Sequence, residues 1–442
     1  MRTLNPSRIR RGKSFGLGLA LLTSGLAALS LPGAAQAAPP QTGVSCTTSA
    51  SPSPNPTFTL NATDGYIQIA DGTIAYMWGY APGGGAFQHP GPVLCVNQGD
   101  TVTIVLNNQL TEPVSIMFPG QQNVQANGAP AQPQFTGANL NSLTNTAAPG
   151  GSVTYSFVAD SAGSFIYESG TLPQKQVRMG LFGALVVRPS AVPTGGASLN
   201  PADYAFNRVD SQFTPSEEFM VLLSEIDPAQ HEAAEAGVAY NLNNYQARYW
   251  LINGRGFPDS IADNNSPFLP DQPYGALARI TPFDATAHPY PGAIRYLNVG
   301  TEEFPFHPHG NNGLVIGRDG RPLAGPAGED LSFEKFAINI GPGQTWDVLF
   351  RWYDAEGYAD EPGKKVPVVI PQVNNQEFGM FYSGSPYLGK TGTLPPGASP
   401  LNECGEFYII SNNHALFQIT SWGVNMTGPI TYMRIDPPGG CS

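Results

Sequence analysis

The sequence predicts an all-β protein built from tandem Greek-key β-sandwich domains. Three observations carry this. Charged residues make up only 12% of the 442 positions while Gly (51) and Pro (43) are abundant, a profile that suits a turn-rich exported β protein better than a helical cytosolic enzyme. Apolar or alternating runs of strand length recur along two separate stretches. Asn-Gly, Pro-Gly and Gly-Gly turn signals separate these runs, and short strands at that spacing close into sandwiches or barrels.

Residues 1–37 read as a secretory signal. Arg2, Arg8, Arg10, Arg11 and Lys13 form a basic n-region, an apolar run follows from Phe15 to Leu31, and Ala35-Gln36-Ala37 is a small-x-small cleavage site. The run is broken by Gly and Ser and followed at once by Ala-Pro-Pro, which suits cleavage better than a span of ~20 apolar residues. The expected location is periplasmic or extracellular, with no stable membrane insertion after cleavage. Cleavage removes five basic residues and no acidic one, taking the formal charge from −12 to −17. So acidic a surface repels nucleic acid and anionic membranes, which leaves an unidentified protein partner or a small-molecule substrate.

Residues 38–57, rich in Pro, Ser and Thr, read as a flexible lead-in. A first domain is expected over 58–189, with strand patterning at 101–106, 114–117, 152–157 and 185–187. Residues 190–216 read as a linker. A second, enlarged domain is expected over 217–436, with strands at 219–226, 249–252, 293–298, 314–316, 336–340, 346–350, 366–370, 407–411 and 430–435. Only 228–237 has a helical signature, with Pro at its start, Ala and Glu inside and Gly at its end. Residues 383–402 read as a long surface loop.

Cys46, Cys95, Cys404 and Cys441 are even in number and, in an oxidising compartment, imply two disulfides. Cys46 with Cys95 and Cys404 with Cys441 is the favoured pairing, because each bridge would pin a terminal segment to its nearest domain. None sits in a CxxC or Cys-His cluster, so metal-thiolate chemistry is not expected. Gly-x-Ser-x-Gly, phosphate-loop and dinucleotide motifs are absent from the sequence.

Three segments carry most of the functional information: Phe304-Pro305-Phe306-His307-Pro308-His309-Gly310, Gly163-Ser164-Phe165-Ile166-Tyr167-Glu168-Ser169-Gly170, and Gly341-Pro342-Gly343-Gln344-Thr345-Trp346-Asp347-Val348-Leu349. Together with Gln98-Gly99-Asp100-Thr101-Val102 and Gly180-Leu181-Phe182-Gly183-Ala184-Leu185-Val186-Val187, their order along the chain resembles the multicopper oxidase family from about residue 58 to 436. The resemblance implies cupredoxin-like domains for the tandem sandwiches. Ile252-Asn253-Gly254-Arg255 resembles the middle domain of larger members, so a division of the second half into two domains stays open. The family places copper on His-x-His pairs, because alternate residues of a strand share a face. Two pairs from the first domain and two from the last hold three coppers between them, and a separate copper on one Cys and two His accepts electrons from substrate.

Set on that pattern, this sequence keeps few ligands. The first pair falls on Met117-Phe118-Pro119 and the second on Glu168-Ser169-Gly170. In the last domain His307-Pro308-His309 survives, but the first His of the electron-accepting copper is Phe304. The terminal His-Cys-His segment falls on Asn412-Asn413-His414, and the second electron-accepting His, five residues past the Cys position, is Gln418. The family's trinuclear centre uses eight imidazoles, whereas the chain has six histidines, and His89, His231 and His288 lie outside the motif segments. The candidate metal ligands are therefore His307, His309, Glu168 and His414, and no catalytic residue is assigned. His307 and His309 are expected to share a strand face pointing toward the domain interface, with Glu168 facing them. Two or three imidazoles and a carboxylate suit Zn, Cu, Mn or Fe; the competing reading is a metal-free relic. Copper at low occupancy, no copper, and another divalent metal stay open as cofactor alternatives. Two functions follow: an exported, copper-degenerate binding or scaffold protein, as some division-associated periplasmic relatives are, or a metal-dependent oxidoreductase with a reduced site at His307 and His309.

Overall fold

The computed structural model describes residues 41–310, 312–354, 388–389, 404–423 and 426–437. The predicted signal segment, the strand expected at 366–370, most of the loop at 383–402 and Cys441 lie outside the described residues. The described residues all fall in one compact unit. No helix among the described residues is long and apolar enough to cross a membrane.

In the first half, a six-stranded sheet ordered Ile74–Pro82, Thr57–Gln68, Thr101–Asn108, Ser152–Val158, Gln125–Ala126, Ala129–Pro130 pairs with a four-stranded sheet ordered Cys46–Thr47, Val93–Asn97, Phe182–Arg188, Gly163–Glu168. The period of two decides which side chains meet. Val102, Ile104 and Leu106 point inward from one sheet and Leu94, Leu185 and Val187 from the other, forming a single core. The second half repeats the plan. A sheet ordered Tyr249–Ile252, Glu218–Ile226, Gly292–Asn298, Thr345–Phe350, Gly313–Arg318, Arg321–Pro322, with Phe333–Lys335 also pairing to Gly313–Arg318, covers a five-stranded sheet ordered Ala278–Ile280, Ile430–Ile435, Phe407–Asn413, Phe304–Pro308, Ile338–Ile340.

Glu218–Ile226 is buried along its whole length because both of its faces are covered. Phe219, Val221 and Leu223 join the core of the second half. Met220 and Leu222 turn the other way and meet Val93, Ile166, Phe182, Ala184 and Val186 of the first half. Each such side chain contributes about 1.5–3 kcal/mol on burial, so this seam fixes how the halves sit together. The same seam contains charges. Arg295 donates to Glu218 and Asp347, each at 2.7 Å, and to Ser164 at 3.0 Å, while Arg188 donates to Glu218 at 2.6 Å. Burial alone would raise the Glu218 carboxyl, but the two guanidiniums outweigh it and hold it below the usual range.

Four sequence expectations need correction. The expected flexible lead-in is held down over 41–57: Cys46–Thr47 adds a parallel strand to Val93–Leu94, and Cys46 is bridged to Cys95. Cys404 is also disulfide-bonded. The expected linker packs instead of spanning solvent, because Phe206 and Phe213 are buried on Ala293, Ile316 and Leu349 of the second-half sheet. The expected strand at 114–117 is reduced to two isolated bridges, Val114 to Ala147 and Met117 to Glu168, since Pro119 ends any ladder. A helix, Pro173–Met179, was not expected at all. It opens on Pro and closes on Gly180, whose φ of 117° and whose missing Cβ, 2.2 Å from the Trp78 carbonyl if present, admit only glycine. Seven residues are too few to show a helical period.

Candidate functional site

The strand Phe304–Pro308 alternates as a half-buried sheet should. Phe304 and Phe306 enter the core, leaving His307 on the outer face. His309, two residues on, comes back to that face, and the two ring centroids lie 4.7 Å apart. The neighbouring strand Phe407–Asn413 pairs His307 with Asn412. Just beyond it, the His414 amide donates to the Pro305 carbonyl at 2.8 Å, which brings the His414 ring to 5.5 Å from His307. Three of the four sequence-predicted ligands are thus gathered at one exposed corner of the second half. His307 Nδ1 lies 2.9 Å from the Phe336 carbonyl; a carbonyl only accepts, so Nδ1 is the donor of this bond. Partial burial, and then the neighbouring imidazoles His307 and His414, lower the His309 pKa.

Glu168 stands in the other half. It ends the strand Gly163–Glu168 and bridges Met117 through two backbone hydrogen bonds of 2.6 and 3.1 Å. A Cβ on Gly170 would lie 2.7 Å from the Met117 side chain. The two first-half motif segments therefore do meet, but as a thioether, a carboxylate and a glycine, beside a buried hydroxyl cluster of Ser115, Ser142 and Thr171. Burial pushes the Glu168 carboxyl up to about 7. Among the described residues, no group of three or more His, Cys, Asp or Glu is placed to hold a metal ion.

The positions set against the electron-accepting copper lie on the inner side of the same five-stranded sheet. Asn413 is opposite Phe306 and fully buried, and its amide donates to Gln418 Oε1. Gln418 donates in turn to Glu302 at 2.7 Å, and Glu302 also accepts from the Trp250 indole at 3.1 Å. The five-residue spacing from 413 to 418 thus marks a real contact. Phe304 on the same strand is fully buried. A His₂Cys copper needs a thiolate and two imidazoles; this set offers amides, a carboxylate and a phenyl ring, with its donors already committed, and does not fit one. The imidazole corner has donor chemistry suited to copper or zinc, but three rings of one chain are not arranged there to share an ion. Glu302 and Trp250 were missed in the sequence; the only hint was a pair of acids, Glu302-Glu303, leading directly into an apolar strand.

Residues 61–192 match the sequence model of the multicopper oxidase family. A laccase-1 of Cryptococcus neoformans is 25% identical over 269 residues, covering 59% of this chain and 37% of the laccase. L-ascorbate oxidase of Cucumis sativus is 28% identical over 200 residues, covering 44% of this chain and 30% of the oxidase. This chain therefore spans well under half the length of these relatives. Among solved structures, the multicopper oxidase mgLAC superposes with a TM-score of 0.56 at 19% identity, and the blue copper oxidase from Nitrosomonas europaea with 0.55 at 17%, each covering 86% of both chains. These likenesses establish the tandem cupredoxin-like fold.

Proposed function

We propose that this chain, a multicopper oxidase homologue by the match over residues 61–192, acts as an exported binding or scaffold protein that does not take electrons through copper. The observation that supports this reading is the hydrogen-bonded chain Asn413–Gln418–Glu302–Trp250, in which the residues set by sequence against the electron-accepting copper are two amides bonded to each other and not a thiol and an imidazole. Without a thiolate there is no sulfur-to-copper charge transfer and no strong blue colour. Without that copper there is no route for electrons from a phenolic substrate to oxygen. The acidic surface of the exported chain directs it toward protein or neutral small-molecule partners. The test is to load purified protein with copper, record its visible spectrum and assay oxygen-dependent oxidation of a phenolic dye. The expected result is no intense blue band and no turnover. A blue band with bound copper would overturn the reading and favour the oxidoreductase.

A further inference from the structure

Away from every motif segment, the first half carries a cleft of about 310 Å³, at the lower end of the size range of small-molecule sites. Tyr76 and Trp78 are two residues apart on the strand Ile74–Pro82 and so share a face. Asp64, Glu112 and Lys175 bring charge to the cleft. Residues 109–111 and residues 237–239, just past the helix Pro228–Glu235, also line it.

These groups are already oriented. The Trp78 indole donates to the Tyr76 hydroxyl at 3.2 Å, and that hydroxyl donates to Asp64 at 2.9 Å. Lys175 is ion-paired with Glu112 and sits 5.0 Å from the centroid of the Trp78 ring. Beside the cleft, Tyr66 is 49% exposed and packs edge-on against Tyr76 at 5.7 Å, with its hydroxyl on Glu235 at 2.5 Å.

Charge selects the class of ligand. Asp64 and Glu112 outnumber Lys175, and Glu235 stands nearby, so an anion is repelled. A cation would have to displace Lys175 from both a carboxylate and an indole face. What the cleft offers is fixed donors and acceptors next to aromatic faces, which match a neutral molecule with hydroxyls on its edge and C–H groups on its face. We propose that this cleft binds a neutral saccharide, with Tyr76 and Tyr66 as stacking surfaces and Asp64, Glu112 and Lys175 as hydroxyl partners. The site shares no residue with the copper-related positions, so it stands or falls independently of the reading above.

Isothermal titration calorimetry of the full chain against neutral tetraoses of β-1,4-glucose, α-1,4-glucose, mannose and N-acetylglucosamine tests this. At least one should bind at one site per chain. For that sugar, Asp64→Asn and Glu112→Gln should each weaken binding about tenfold or more. Tyr66→Ala should weaken it about threefold, and Leu199→Ala, at a fully exposed site, should leave it unchanged. Thermal melts check that each variant folds; should the carboxylate variants not fold, Tyr66→Ala at its exposed position decides alone. The proposal is overturned by no tetraose binding even at millimolar strength, by affinity unchanged in every folded variant of the cleft, or by tetramethylammonium or phosphate binding more tightly than any sugar.

Discussion

The five-stranded sheet of the second half has two faces with opposite characters. Inside, buried Asn413 donates to buried Gln418, and Gln418 donates to half-buried Glu302, which also accepts from Trp250. Outside, His307, His309 and His414 cluster where water reaches them. One residue of register separates them, since Phe306 pairs with Asn413 and His307 with Asn412. The difference follows from solvation. A buried polar group must be answered by the chain, because an unpaired one costs about 1–3 kcal/mol, whereas an exposed imidazole is answered by water. The inner positions therefore keep polar residues by bonding them to one another, with Asn413 Oδ1 alone of that chain left unanswered, and the outer ones can keep histidines at little cost in stability.

Moving an imidazole indoors shows the size of that rule, and gives the largest expected effect. His89 is fully buried with neither ring nitrogen bonded, and burial, then the neighbouring His231, depress its pKa to about 3. Its unfolded value is near 6.5, so between those limits the unfolded chain binds the proton and the folded chain does not. Stability is full above pH 6.5 and falls as pH drops toward 3, by at most about 5 kcal/mol from this group. His231, whose pKa burial also lowers, acts in the same direction. Urea unfolding between pH 7 and 4 should show this fall, with a shallower slope in His89→Gln; equal slopes would break the contrast.

The inner network comes next. Gln418→Ala takes a donor from half-buried Glu302 and the acceptor from buried Asn413, and should cost about 2–3 kcal/mol by denaturant unfolding. A loss under about 1 kcal/mol would mean that water enters and that the site is looser than its hydrogen bonds imply.

Glu168 tests whether a carboxylate of the first half is committed to a cation. Its folded pKa of about 7, against 4.5 unfolded, means the folded chain holds the proton longer. That stability is present below pH 4.5 and lost as pH rises through 7, up to about 3 kcal/mol. Glu168→Gln should therefore stabilise the protein at pH 8 and change little at pH 4. Destabilisation at pH 8 would instead indicate that the carboxylate has a cationic partner.

How far the sequence could be read depends on what each signal measures. Short runs rich in aromatic and branched residues located the strands at 249–252 and 430–435 to the residue, because such runs suit strands that are buried along nearly their whole length. The sequence set Asn413 and Gln418 on two positions of one family site, and in the structure the two side chains are hydrogen-bonded. The lead-in at 38–57 and the stretch at 190–216 misled, because Pro, Ser and Gly report turns and say nothing of whether the chain between them packs. Phe206 and Phe213 were the overlooked hint in the second of these. Glu168 shows the limit for the site. A motif position tells which segment a residue occupies, and Met117 does meet it as the motif order implies, but a one-dimensional pattern carries no charge environment. Its burial, and hence its raised pKa, come from the folded sheet.

The smallest expected effect bears most directly on function. His307 lies on the outer face and donates one hydrogen bond, to the Phe336 carbonyl, so His307→Ala in metal-free buffer should change stability by no more than about 0.5 kcal/mol. The decisive arm adds metal. An ion held only by the folded state stabilises it in proportion to RT ln(1 + [L]/Kd), about 2.7 kcal/mol at a hundredfold excess over Kd. Because no group of three ligands among the described residues is placed to hold an ion, the Tm of the full chain should be the same with and without added zinc or copper. A rise in Tm that His307→Ala abolishes would mean that the outer imidazoles do converge on an ion in solution. The outer face would then be the functional one, and the inner network merely its support.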